Sequence, residues 1–172
     1  IQTILEMAEM KHSCRCKALI VTGCMAQRYK KEISEEIPEV DAILGTTSYG
    51  DIIKAVKEAE AGRHFEEYKS IDFLPNISGK RMLTTGGHFA YLKIAEGCDK
   101  HCTYCIIPKL RGSYRSVPME QLVKEAQSLA EQGVKELILV AQETTLYGKD
   151  LYGKKSLHVL LKELCKIKGL RW

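Results

Sequence analysis

Short apolar runs alternate with segments of helical period along this chain, and that alternation confines it to a parallel α/β arrangement. Ile1, Ile4, Leu5 and Ala8 recur at helical spacing, so residues 1–11 are expected to form an amphipathic helix, and residues 12–17 a loop. Ala18–Thr22 is a short β-branched run suited to a buried strand, and Gly23-Cys24 follows at its carboxyl end. A helix is expected over 27–37, where Pro38 stops it, and a second strand over 40–44. Tyr49, Ile52, Ile53, Val56 and Ala59 trace one face of a further helix, for which Gly62 suits the carboxyl-terminal cap. Residues 63–86 break the pattern: Pro75-Asn76, Ser78-Gly79 and Gly86-Gly87 punctuate a stretch without period, which reads as a linker. The alternation then restarts. Phe89–Ile94 reads as a strand, Leu122, Ala126, Leu129 and Ala130 mark a helix opened near Pro118 and ended by Gly133, and Leu137–Val140 reads as a buried strand. Leu157, Leu160, Leu161 and Leu164 line a last helix. The expected organisation is therefore 1–62, a linker at 63–86, and 87–172. Two βα units are a fraction of a β/α barrel, which takes roughly 200–250 residues.

The second half carries its chemistry in Cys98-Asp-Lys-His-Cys102-Thr-Tyr-Cys105, three thiols on one loop just past a strand. Three thiolates can hold three irons of a cubane 4Fe-4S cluster and leave the fourth open to a substrate or cofactor. A structural zinc site is the alternative, with His101 as a strained fourth ligand, since zinc ordinarily takes four. The chain holds seven cysteines, an odd and clustered set that points to metal ligation in a reducing compartment rather than to a disulfide framework. The formal net charge of +4 is mild and spread among glutamates, so it argues for no particular acidic partner. No run of 18 or more apolar residues is present, and no secretory signal opens the chain, which starts at Ile1 as if inside a longer protein.

The residues from Ala90 through Gly112 (AYLKIAEGCDKHCTYCIIPKLRG), with Arg115-Ser116 and Pro118, closely resemble the radical S-adenosylmethionine (SAM) segment of the methylthiotransferases. The similarity runs on through Gly133-Val-Lys-Glu-Leu-Ile-Leu-Val-Ala-Gln-Glu-Thr-Thr-Leu-Tyr-Gly148. Upstream, Val21-Thr-Gly-Cys-Met-Ala-Gln-Arg-Tyr29, Pro38–Asp41 and Leu44-Gly45 resemble the amino-terminal domain of the same family. The resemblance implies the carboxyl-terminal part of a Rossmann-like domain in residues 1–62, followed by the first βα units of a TIM-like radical SAM barrel.

It also implies two 4Fe-4S clusters. Cys98, Cys102 and Cys105 would hold the one that binds SAM and reduces it to a 5′-deoxyadenosyl radical. Cys24 matches the last of three ligands to a second cluster linked to sulfur supply, whose other two would precede Ile1. Only the first cluster would thus be fully liganded here, and the chain alone is expected to be inactive. Tyr104 fills the aromatic slot near adenine, and Gln142 and Glu143 end the strand where the family contacts the SAM amino group. Arg111 and Arg115 are further carboxylate partners. No catalytic nucleophile or general base is demanded.

Ala141–Gly148 resembles the branch that methylthiolates the β-carbon of an aspartate in a small-subunit ribosomal protein. That implies a cytoplasmic enzyme with a ribosomal-protein substrate, an electron donor and a sulfur donor, and without a membrane. The rival within the family acts on a tRNA adenosine, and only then is nucleic acid a partner. The rival outside it is a non-catalytic metal-binding module. Cys14-Arg-Cys16 reads as loop, Cys165 as core, and His12, His64, His88 and His158 as residues without a catalytic role.

Overall fold

The first strands are short because few consecutive residues can be buried on both faces, and those that can are apolar. In the computed structural model, which describes residues 1–13, 15–74, 81–84 and 86–172, β1 (Ile20–Thr22), β2 (Ala42–Leu44) and β3 (Phe65–Glu67) form one parallel sheet in the order β1-β2-β3. β2 is central and its three residues are fully buried, as a parallel strand covered by helices requires. α1 (Gln2–His12), α2 (Cys24–Arg28), α3 (Lys30–Glu36) and α4 (Ile52–Glu60) supply the cover. Ala8, Ala26 and Ile33 close over Val21 and Ile43, while Ala55 packs on Ala42 and Leu44.

Three expectations change here. The helix expected over 27–37 is two helices, α2 and α3, which meet at Tyr29. The stretch expected as a linker from residue 63 contains β3, whose Phe-Glu-Glu sequence shows no apolar alternation because an edge strand needs burial on little of its surface. The buried face of α4 is centred on Ala55 and Ala59, whereas Ile53 is 65% exposed and Ile52 37%. Close approach of helix to sheet selects the small side chains, so the large apolar residues stand beside the contact rather than in it.

In the second half, β4 (Phe89–Lys93) pairs in parallel with β7 (Glu136–Val140), joined through α6 (Met119–Glu131). Ala90, Leu129 and Val134 form the core of this unit, with Leu137 packed against it. Beyond β4, the two-residue strand β5 (Ala95–Glu96) pairs antiparallel with β6 (Arg115–Ser116), so the strand expected over 89–94 continues as a second short ladder leading into the cysteine loop. α5 (Ile107–Arg111) follows the cysteines, and α7 (Lys149–Tyr152) and α8 (Leu157–Leu164) complete the segment. The main chain of Arg171 and Trp172 hydrogen-bonds alongside β7, to Lys135 and Leu137. β7 is half-buried throughout with Val140 39% exposed, so it is less covered than the buried strand expected. Cys165 is exposed rather than core.

The chain divides into two compact units, Ile1–Pro75 with Lys109–Arg111, and Asn76–Pro108 with Gly112–Trp172. Among the described residues no helix is long and apolar enough to cross a membrane.

Candidate functional site

The cysteine loop of the second unit begins where β5 ends. Glu96 and Gly97 are buried, and the Gly97 backbone sits at φ +75°, a conformation that costs side-chain-bearing residues about 1–2 kcal/mol. A Cβ at Gly97 would lie 2.0 Å from the carbonyl oxygen of Ser113 and 2.5 Å from that of Gly112. Only glycine lets the loop press this closely onto the returning segment 112–116. The Cys98 amide then donates to the Gly112 carbonyl at 3.1 Å, and the Cys105 amide to the Cys102 carbonyl at 2.9 Å, which closes a turn around the second and third cysteines. His101, the residue just before that turn, takes φ +45°.

Cys98 and Cys105 are half-buried and Cys102 is exposed, and all three are free thiols. Among the described residues no three His, Cys, Asp or Glu side chains are gathered tightly enough for a single metal ion. Thiolates sharing one zinc stand about 3.8 Å apart, given Zn–S bonds of about 2.3 Å. Ligands to a cubane each bind a different iron and stand wider. Three free thiols along one anchored loop supply the sulfur donors that an iron–sulfur cluster takes.

The other wall of the site is the turn after β7. Gln142 is exposed. Glu143 caps a single 3₁₀ turn (Thr144–Leu146), accepting from the Thr145 amide at 3.1 Å and from its hydroxyl. Its second carboxylate oxygen pairs with the Lys100 ammonium from the cysteine loop. That hydrogen bond, aided by those from Thr145, holds the Glu143 carboxyl at about 2, and in return Glu143 raises the Lys100 ammonium above its ordinary value. Tyr114 links the same two walls. Its amide donates to Asp99 Oδ1 at 2.9 Å and its hydroxyl to the Glu143 carbonyl at 2.9 Å. Burial pushes the Tyr114 phenol up to about 12, so it remains a donor.

Of the residues singled out in the sequence, this unit brings Cys98, Cys102, Cys105 and Glu143 onto adjoining turns. Tyr104 is 91% exposed and touches neither wall by any hydrogen bond described. Arg115 is half-buried and donates to the Ser113 carbonyl, supporting the loop from below. Lys100, Asp99 and Tyr114 were not anticipated. Lys100 and Asp99 lie between the cysteines, and a charged pair in a ligand loop is the signal that would have found them.

In the first unit Cys24 is half-buried and is the first residue of α2, behind Gly23 at φ +101°. The loops after the three parallel strands meet at this end. Gly23 donates to Leu44, Gln27 accepts from Thr46 at 3.1 Å, and the Ser48 hydroxyl accepts from Lys69 at 2.8 Å. Cys16 faces elsewhere, its thiol donating to the Ala18 carbonyl, and Cys14 lies outside the described residues. Cys24 thus contributes one thiol at the carboxyl end of the sheet.

Residues 92–171 match the model of the radical SAM superfamily, and residues 1–45 match that of the uncharacterized protein family UPF0004. Residues 92–171 thus carry a radical SAM domain. It is 63% identical over its whole length to a protein of Lachnoclostridium phytofermentans named ribosomal protein uS12 methylthiotransferase RimO. Identity is 56% to the protein of that name from Clostridium botulinum strain Eklund 17B and 54% to that from Clostridioides difficile. The chain spans about 39% of the length of these relatives. A radical SAM member is expected to use SAM and 4Fe-4S chemistry, which the donor set of the cysteine loop suits.

Proposed function

We propose that the protein is a radical SAM methylthiotransferase that acts on the β-carbon of an aspartate in small-subunit ribosomal protein uS12. The observation that carries this is the loop of Cys98, Cys102 and Cys105, anchored through Gly97 and the Gly112 carbonyl beside the Glu143 turn, in a chain 63% identical to a uS12 methylthiotransferase. The three cysteines would hold the SAM-binding 4Fe-4S cluster, and Cys24 would be one ligand of a second. When bound, the cluster supplies the electron that cleaves SAM and so opens hydrogen abstraction from an unactivated carbon.

This chain's own residues bind and orient. Glu143 is an ionised carboxylate that already holds an ammonium, that of Lys100, so it offers the SAM amino group a like-for-like exchange. Gln142 stands next to it as an exposed hydrogen-bonding amide, and Tyr104 is an exposed ring available to the adenine. The reading places residues 1–62, extended to take in β3, in a Rossmann-like domain, and 87–172 in the first βα units of a TIM-like barrel whose cluster loop follows a strand's carboxyl end. A cytoplasmic setting with separate electron and sulfur donors goes with a ribosomal substrate.

The test is the iron, sulfide and zinc content of the anaerobically reconstituted protein and of Cys102→Ala, with the EPR spectrum of the reduced form. About four irons and four sulfides per cluster are expected at the Cys98 loop, lost in the variant, with a spectrum that SAM shifts. Zinc without acid-labile sulfide would overturn the reading. Selective binding of a tRNA anticodon stem-loop over uS12 would move the substrate to the tRNA branch.

A further inference from the structure

We propose that Tyr114 is a positioning residue for SAM, holding the Gln142–Glu143 turn in register with the cysteine loop; the proposal rests on the radical SAM reading above. Tyr114 contacts both walls of the site by separate groups. Its amide grips Asp99, one residue after Cys98, and its hydroxyl grips the main-chain carbonyl of Glu143. The bond to Glu143 is made to the backbone, so it takes up neither oxygen of the carboxylate. Tyr114 is only 6% exposed, so its hydroxyl is shielded from bulk water and the ring has little room to swing.

The neighbouring contacts show why such a tie is needed. The loop is fixed to segment 112–116 by Cys98 and Gly97, while the Glu143 turn follows β7, a different strand. Besides Tyr114, the described bond that crosses from the loop to this turn is the Lys100–Glu143 pair. SAM binding through Glu143 would displace Lys100 from that carboxylate, since one oxygen is already held by Thr145. With Lys100 displaced, the Tyr114 hydroxyl would be the tie that holds the polar turn at a fixed distance from the cysteine loop. A ligand gripped at both ends loses affinity when its two anchors drift, even with each anchor intact.

The experiment compares wild type, Tyr114→Phe and Asp99→Ala in the reconstituted protein, reading iron and sulfide content, thermal midpoint, and SAM affinity from the EPR shift. Tyr114→Phe removes one oxygen and keeps the ring. Full cluster content with SAM affinity lowered about tenfold and a smaller spectral shift is the expected result, the size of a lost buried hydrogen bond. Unchanged SAM affinity in an iron-replete Tyr114→Phe protein would overturn the proposal. If that variant takes up no iron, Asp99→Ala decides by the same readings, because it releases the other end of the tie at an exposed position. A wild type with no SAM-responsive cluster defeats the radical SAM reading itself, whereas a responsive wild type with unaffected variants defeats only the role of Tyr114.

Discussion

At Gly97 two demands coincide: a backbone at φ +75° and a neighbouring carbonyl 2.0 Å from where a Cβ would sit. Gly97→Ala is therefore expected to cost more than the conformational penalty of about 1–2 kcal/mol and to displace the first cysteine. Iron uptake in reconstitution should fall by half or more while the helical circular dichroism persists. Glu143 answers to charge rather than to shape. Its carboxyl is held at about 2 chiefly by the Lys100 hydrogen bond, so the pair stabilises the site fully above the ordinary carboxylate value near 4.5 and fades as pH falls toward 2. Lys100→Gln should lift the Glu143 midpoint toward the ordinary carboxylate value, read by carboxyl NMR. A midpoint that stays near 2 would mean that Thr145 alone holds the charge.

At the scale of elements, α4 separates periodicity from contact. Its large apolar residues and its buried residues lie on adjacent stripes, because Ala55 and Ala59 let the helix settle closely on β2. Ala55→Leu should overpack the interface and cost about 1–3 kcal/mol in urea unfolding. Ile53→Lys, at a position 65% exposed, should change stability by less than about 0.5 kcal/mol. The reverse order would restore the face expected from apolar spacing alone. α6 shows the agreeing case, where Leu122, Ala126 and Leu129 are both periodic and buried. Leu129→Ala should cost about 2–5 kcal/mol, since Leu129 packs on Ala90 and Val134 at 1% exposure.

Across the whole molecule, each of the two compact units carries free thiols just past a strand, Cys24 after β1 and the Cys98 loop after β5. Each of these thiols sits in its own unit's loops, so iron uptake at the Cys98 loop should not depend on Cys24. Cys24→Ala is expected to leave the iron bound at the Cys98 loop and its SAM response unchanged, while Cys102→Ala abolishes both. Loss of the SAM response in Cys24→Ala would show that the two sites are coupled.

The sequence by itself determined the alternation of strands and helices, and the cysteine loop with its place after a strand. These follow from local properties: apolar period, β-branching, and the number and spacing of donors along a few residues. Only the tertiary structure decided that the helix near 27–37 breaks at Tyr29, that α4 turns its alanines inward, and that β3 joins the sheet from within a stretch lacking any apolar period. It alone brought Tyr114 and Lys100 to Glu143, and Asp99 to Tyr114. Those contacts join residues up to 43 positions apart, from Lys100 to Glu143, and spacing along a chain carries no information about which distant side chains a fold will make neighbours.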